Sequence, residues 1–163
     1  MGERNMNYDL IVENRRGGTI HQGDDKSAMR ATPQFDLVVL CAEEFQPPVH
    51  EVAAKRALYA PNDDGDVITQ EQKHLALLAA EEVALAFTRG EQVLVTCMQG
   101  RNRSGLVTAL AIHLVYGIGG ARAAHWVKRR RRGAAALTNP IFMSYLTSLS
   151  PNPSTHFYPA PAV

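Results

Sequence analysis

Apolar and polar positions follow two different periods along the chain. Leu37-Val38-Val39-Leu40-Cys41 and Val93-Leu94-Val95-Thr96 are short runs rich in β-branched residues and bounded by polar or turn residues. They predict strands buried on both faces of a sheet. Ile20 and Leu58-Tyr59-Ala60 are weaker strand candidates. Between the runs the period becomes helical. Thr69-Gln70-Glu71-Gln72 fits a capping box and opens a helix to about Arg89, with Leu75, Leu78 and Leu85 as its apolar stripe, Leu77, Ala84 and Phe87 on the flank, and Gly90 as the stop. Further helices are predicted from Ser104 to Gly117, from about Gly120 to Arg132, and from Asn139-Pro140, where proline suits the first turn. The longest apolar stretch, Leu106 to Ile118, is interrupted by Thr108 and His113 and falls short of the about 20 residues that span a bilayer, so it reads as a buried helix. This alternation predicts an α/β domain with a central, mostly parallel sheet of about four to five strands flanked by helices. The domain is placed at residues 8–149, between a flexible N-terminus (1–7) and a Pro-rich tail (150–163).

Composition narrows the class. In 163 residues, 45% apolar and 20% charged, there is material for one substantial core. Seventeen Lys and Arg against sixteen Asp and Glu leave a formal charge of +1, so no overall field draws the molecule to nucleic acid or an anionic membrane. Any such attraction is local. Lys128 to Arg132 is the one run of cations. Cations favour a helix C-terminus, and consecutive positions spread around the helix; the functional alternative is a docking patch for acidic protein, phosphoinositide headgroup or RNA. The start, Met1 to Met6, lacks a basic and apolar secretion signal, and the two cysteines, Cys41 and Cys97, are too few for a disulfide framework. A cytoplasmic setting is expected.

The chemistry concentrates in Thr96-Cys97-Met98-Gln99-Gly100-Arg101-Asn102-Arg103-Ser104. A strand ends at its start and a helix begins at its end. Wrapped into a cup, Met98 to Arg103 aims backbone N–H groups at one point, with the positive end of the helix behind them. Such a cup binds phosphate. A thiol there is expected to ionise below its free value of about 8.5, making Cys97 a nucleophile. Arg103 offers a planar fork for two phosphoryl oxygens. Gly100 permits the turn, and the Ser104 hydroxyl is placed to cap the helix and to donate toward the sulfur. Arg101 either raises the potential at the mouth for polyanionic substrates or faces solvent. His113 reads as a hydrogen-bonded core residue and Trp126 as a packing residue. No spaced Cys/His cluster suggests a metal, no cofactor is implied, and the loop lacks the Gly-Lys-Ser/Thr of a nucleotide-binding loop.

Cys97-x5-Arg103-Ser104 resembles the signature of the cysteine-dependent protein tyrosine phosphatases, and the short chain resembles their dual-specificity branch. The resemblance covers roughly Tyr8 to Leu149. Leu37 to Phe45 is similar to the strand and turn before the family's acid loop, and Asn139, Phe142 and Leu146 to its closing segment. Thr96 departs from the family, which usually has His there to order the loop and tune the thiol. The resemblance implies hydrolysis of phosphate monoesters through a phosphocysteine, with phosphorylated proteins as substrates. It also implies a general acid on a loop about 30 residues upstream. Pro61-Asn62-Asp63-Asp64 lies there, and the family's spacing after a proline selects Asp64, thirty-three positions before Cys97, with Asp63 as runner-up. Cys41 matches a position in related lipid phosphatases whose thiol pairs with the nucleophile under oxidation; packing as a small apolar side chain is the alternative. A phosphoinositide or RNA 5′-phosphate hydrolase, selecting its substrate through Arg101 and Lys128 to Arg132, stays open beside the protein phosphatase. So do a non-catalytic phosphate-binding module and a sulfur-transfer enzyme.

Overall fold

A computed structural model describes residues 7–29, 34–44 and 47–152. The expected flexible start and Pro-rich tail therefore lie, apart from residues 7 and 150–152, outside the described residues, as does Phe45. In chain order the elements are β1 (Tyr8–Glu13), β2 (Thr19–Gly23), α1 (Asp25–Met29), β3 (Leu37–Ala42), a 3-10 turn (Val49–Glu51), β4 (Arg56–Asn62), α2 (Gln70–Thr88), β5 (Gln92–Thr96), α3 (Arg103–Tyr116), α4 (Gly120–Arg130) and α5 (Pro140–Thr147).

The five strands form one sheet in the order β1-β2-β5-β3-β4. Among the described residues only β1 and β2 pair antiparallel; the other three pairs are parallel. β3 and β5 lie in the middle and are buried on both faces, which is why their sequences read as unbroken apolar runs. Val39, Cys41, Val93, Val95 and Cys97 belong to the larger core, shared with α2 to α5, whereas Val38, Leu40 and Leu94 meet Ala28 of α1 and Phe35 in a smaller one. Each large apolar side chain so buried contributes about 1.5–3 kcal/mol. β4 carries an extra residue opposite Cys41, around Ala60 and Pro61. Proline cannot donate to a ladder, and a bulge in an edge strand accommodates it.

The helix predictions hold at the N-caps of α2 and α5 and the C-cap of α3, overrun the end of α4, and fail on one face of α2. Thr69 caps α2 in the reciprocal arrangement with Gln72, Asn139 caps α5 ahead of Pro140, and Gly117 ends α3 in the left-handed conformation at φ 66°. The buried face of α2, however, is Ala76, Ala79, Ala80, Val83, Ala84 and Phe87, while Leu78 and Leu85 are 45% and 40% exposed. That face packs against α3, where small side chains let the two helices approach closely. β1 and α1 were not foreseen. α4 stops at Arg130, and Arg131 turns extended. Trp126 stacks on Tyr116 and donates its indole N–H to Ile11 O at 2.8 Å, and His113 Nδ1 pairs with Ile118 O. Among the described residues no helix is long and apolar enough to cross a membrane.

Candidate active site

The loop from Cys97 to Asn102 runs from the C-terminal end of β5 to the first residue of α3, the edge of a parallel sheet where ligands gather. Thr96 anchors its start: the Oγ1 hydroxyl donates to Val39 O at 3.1 Å on β3. The backbone of the loop also touches the β2–α1 turn, through Cys97 N to Gly23 O and Asp25 N to Met98 O, each at 3.4 Å. Gly100 holds φ +64°, and a Cβ built there would stand 2.6 Å from the Gly23 backbone. Any side chain would be both strained and obstructed.

Cys97 is 4% exposed, with Sγ 3.2 Å from Ser104 Oγ. Ser104 is the second residue of α3 and faces the sulfur and Gln22; the helix is not capped by it, and Asn102 at the cap position makes no side-chain cap bond either. Arg103 is buried. Its Nη1 and Nη2 donate to Glu44 at 2.5 and 2.6 Å, Nη1 also reaches Asn62 O at 3.2 Å, and Nε is buried with no partner among the described residues. Burial opposes the guanidinium charge, but the Glu44 hydrogen bonds and the charges of Cys97, Glu44 and Asp64 hold its pKa above the ordinary value. The same hydrogen bonds hold Glu44 below the usual carboxylate value.

Asp64 reaches the loop. Asn102 Nδ2 donates to its Oδ2 at 2.9 Å, and Asn139 Nδ2 to its Oδ1 at 2.7 Å. Asn102 Oδ1 in turn accepts from Asn139 N at 2.9 Å, so the acidic loop, the Cys97 loop and the start of α5 are one network. Asp63 is exposed, and no hydrogen bond to its carboxylate occurs among the described residues.

Sequence reasoning treated Arg131 as one of five surface cations. It is 3% exposed and points into the molecule: Nε donates to Gly100 O at 2.9 Å and Nη1 to Asp9 Oδ2 at 2.7 Å. The basic run is thus four exposed cations, Lys128, Arg129, Arg130 and Arg132, with a buried brace among them. The cause is the end of α4, where the extended Arg131 leaves the helical path. Arg101 is exposed at the mouth, beside the half-buried Met98 and exposed Gln99. Gln22, Glu44 and the brace role of Arg131 were missed; only Asn139 had a local signal, its place before Pro140. Among the described residues no three His, Cys, Asp or Glu side chains are grouped to hold a metal ion.

No protein-family model matches the chain, and no curated protein does. Solved structures do. Tk-PTP in its active form matches at TM-score 0.66 and 22% identity over 86% of this chain and 93% of its own. Human DUSP28 matches at 0.64 and 23% over 86% and 90%. PTPMT1 in complex with PI(5)P matches at 0.66 and 15% over 86% and 92%. The chain therefore has the fold of the tyrosine and dual-specificity phosphatases.

Proposed function

We propose that this protein is a phosphatase that hydrolyses phosphate monoesters through a phosphocysteine, acting on phosphotyrosine and phosphoserine or phosphothreonine in proteins. The observation that carries the reading is the buried Nε of Arg103, without a partner among the described residues, at the end of the loop that begins with the Cys97 thiol. A buried guanidinium N–H calls for an acceptor, and a phosphoryl oxygen is the acceptor such a loop suits. Loop N–H groups from Met98 to Arg103 would share the load.

In this mechanism the Cys97 sulfur attacks phosphorus as the ester P–O bond breaks, and Asp64 gives the departing oxygen its proton. Water then attacks the phosphocysteine and loses its proton to the Asp64 carboxylate. The S–P bond breaks, the sulfur leaves as thiolate and accepts a hydrogen bond from Ser104, and inorganic phosphate departs. Arg103, fixed by Glu44, follows the charge spreading over the equatorial oxygens. The test is hydrolysis of p-nitrophenyl phosphate without added metal. Cys97→Ser and Arg103→Ala are expected to abolish it, and full activity in Cys97→Ser would overturn the reading.

A second substrate class is supported by Arg101 and Arg132, both exposed next to residues that bond the loop, and by the likeness to a structure holding PI(5)P. A panel of phosphopeptides, phosphoinositides and RNA 5′-phosphates decides between the classes. Phosphopeptide turnover lost to phosphoinositide turnover would reverse the preference stated above.

A further inference from the structure

Thr96, the residue before the nucleophile, turns its hydroxyl away from the loop to Val39 O. Thr96 thus anchors only the start of the loop on β3; its middle is held from the other neighbour of β5. Gln22 of β2 is 0% exposed, and its Nε2 donates to Gly100 O at 3.0 Å and to Ser104 Oγ at 3.2 Å. The Gly100 carbonyl only accepts, so chemistry fixes which end of the amide faces the loop. Oε1 is then buried with no partner among the described residues. An aliphatic side chain of the same length would fill this space without an orphaned acceptor, so packing does not account for a glutamine here.

The amide also decides what Ser104 does. Nε2 cannot accept, so the hydroxyl oxygen accepts from it and its single hydrogen stays available for the other partner, Cys97 Sγ at 3.2 Å, to which the hydroxyl is the donor whenever the sulfur lacks its proton. We propose that Gln22 is a positioning residue: it sets the Ser104 hydroxyl as a donor to the sulfur and, together with Arg131, pins the Gly100 carbonyl to the back of the loop. The proposal rests on the reading of Cys97 as nucleophile. Within that reading it gives Gln22 a share in phosphocysteine breakdown, the step in which the sulfur must leave bearing charge.

Gln22→Met and Gln22→Leu fill the volume and remove the donor; Ser104→Ala removes the hydroxyl, and the double variant removes both. Two readouts separate this proposal from the phosphatase reading. The first needs no turnover: alkylation of Cys97 by iodoacetamide at pH 6, followed by peptide mass spectrometry. Each single variant is expected to slow it about tenfold, the value of one hydrogen bond to a charged sulfur, and the double variant to be no slower than Ser104→Ala. The second is stopped-flow hydrolysis of p-nitrophenyl phosphate, where the Gln22 variants are expected to show a burst of p-nitrophenol before a slowed steady state. Wild-type alkylation in both folded Gln22 variants, or effects of Gln22 and Ser104 that multiply, overturns the positioning role even if hydrolysis depends on Cys97. The expected alkylation pattern without any Cys97-dependent hydrolysis overturns the phosphatase reading and leaves the positioning role standing.

Discussion

Arg103 and Glu44 lie side by side, each guanidinium Nη donating to a separate carboxylate oxygen, at 2.5 and 2.6 Å. This pairing leaves Nε as the group without a partner among the described residues. Glu44 therefore aims the arginine without competing for all of it. Glu44→Ala is expected to lower kcat/KM for p-nitrophenyl phosphate by about tenfold to a hundredfold, and Glu44→Gln, which keeps one acceptor, by less. Tungstate affinity, measured by calorimetry, should weaken in the same order. Equal activity in all three proteins would show that the pairing does not position Arg103.

Asp64, not Asp63, is tied to the loop through Asn102 and Asn139. Asp64→Asn should cost about a hundredfold or more with an alkyl phosphate, whose leaving oxygen needs a proton, and much less with p-nitrophenyl phosphate, whose leaving group does not. Asp63→Asn should be close to wild type on both. A larger loss in Asp63→Asn would move the acid by one residue. Asn139→Ala is expected to fall between them.

Arg131 and Arg129 are neighbours in the same cationic run and should behave oppositely. Removing Arg131 leaves Asp9 and the Gly100 carbonyl without their shared donor, and Arg131→Ala is expected to destabilise the fold by about 3 kcal/mol. Arg129 is exposed, and Arg129→Ala should stay within about 0.5 kcal/mol. Urea denaturation measures both. Near-equal values would mean the brace carries little.

The same brace gives a pH dependence. Burial opposes the charge on Asp9, but the N–H groups of Gly133 and Arg132 and the Arg131 guanidinium outweigh it, and its pKa lies below the ordinary 3.8. A depressed folded-state value contributes stability that is present in full above the unfolded pKa and is lost as pH falls through the folded one. Thermal unfolding should therefore show an acid-side loss beginning below about pH 4 that Asp9→Asn flattens. An unchanged profile in that variant would assign the loss to other carboxylates.

Cys41 and Cys97 are brought together by strand register. Leu40 stands opposite Thr96, and the next residue on each side, Cys41 on β3 and Cys97 just past the end of β5, is a cysteine of the same core. Adjacent strands run about 4.8 Å apart, a spacing a disulfide can bridge. Burial, and then the nearby Cys97, hold the Cys41 thiol well above its usual pKa, so it waits protonated. Peroxide should oxidise the Cys97 sulfur to sulfenic acid, which condenses with the Cys41 thiol and releases water. Peptide mapping should find the Cys41–Cys97 link, reversible by dithiothreitol, and Cys41→Ala should turn the inactivation irreversible. Absence of the linked peptide after full inactivation would refute this.

What could be read from the chain was what the chain keeps local. Cys97, Gly100, Arg103 and Ser104 share one turn, and Thr69 signals its helix within its own first turn. Gln22, Glu44 and Arg131 reach that turn from other elements, and nothing near them in sequence points to the contact. α2 misled because leucines outnumber the other large apolar residues on its outer face, whereas its packing surface is mostly alanine. β1 was invisible for another reason: at an antiparallel edge its apolar stretch is only Leu10 to Val12, Leu10 is exposed, and the half-buried Tyr8 and Asp9 take partners distant in sequence.

Leu137 adds a further dependence. It is 1% exposed, its N–H donates to Arg101 O at 3.1 Å, and it holds φ 55°, where residues with a side chain are seldom comfortable. Part of the shape of the Cys97 loop is thus held by a residue in a strained conformation outside it. A change made at Leu137, thirty-six residues beyond Arg101, would loosen the core and the Cys97 loop together.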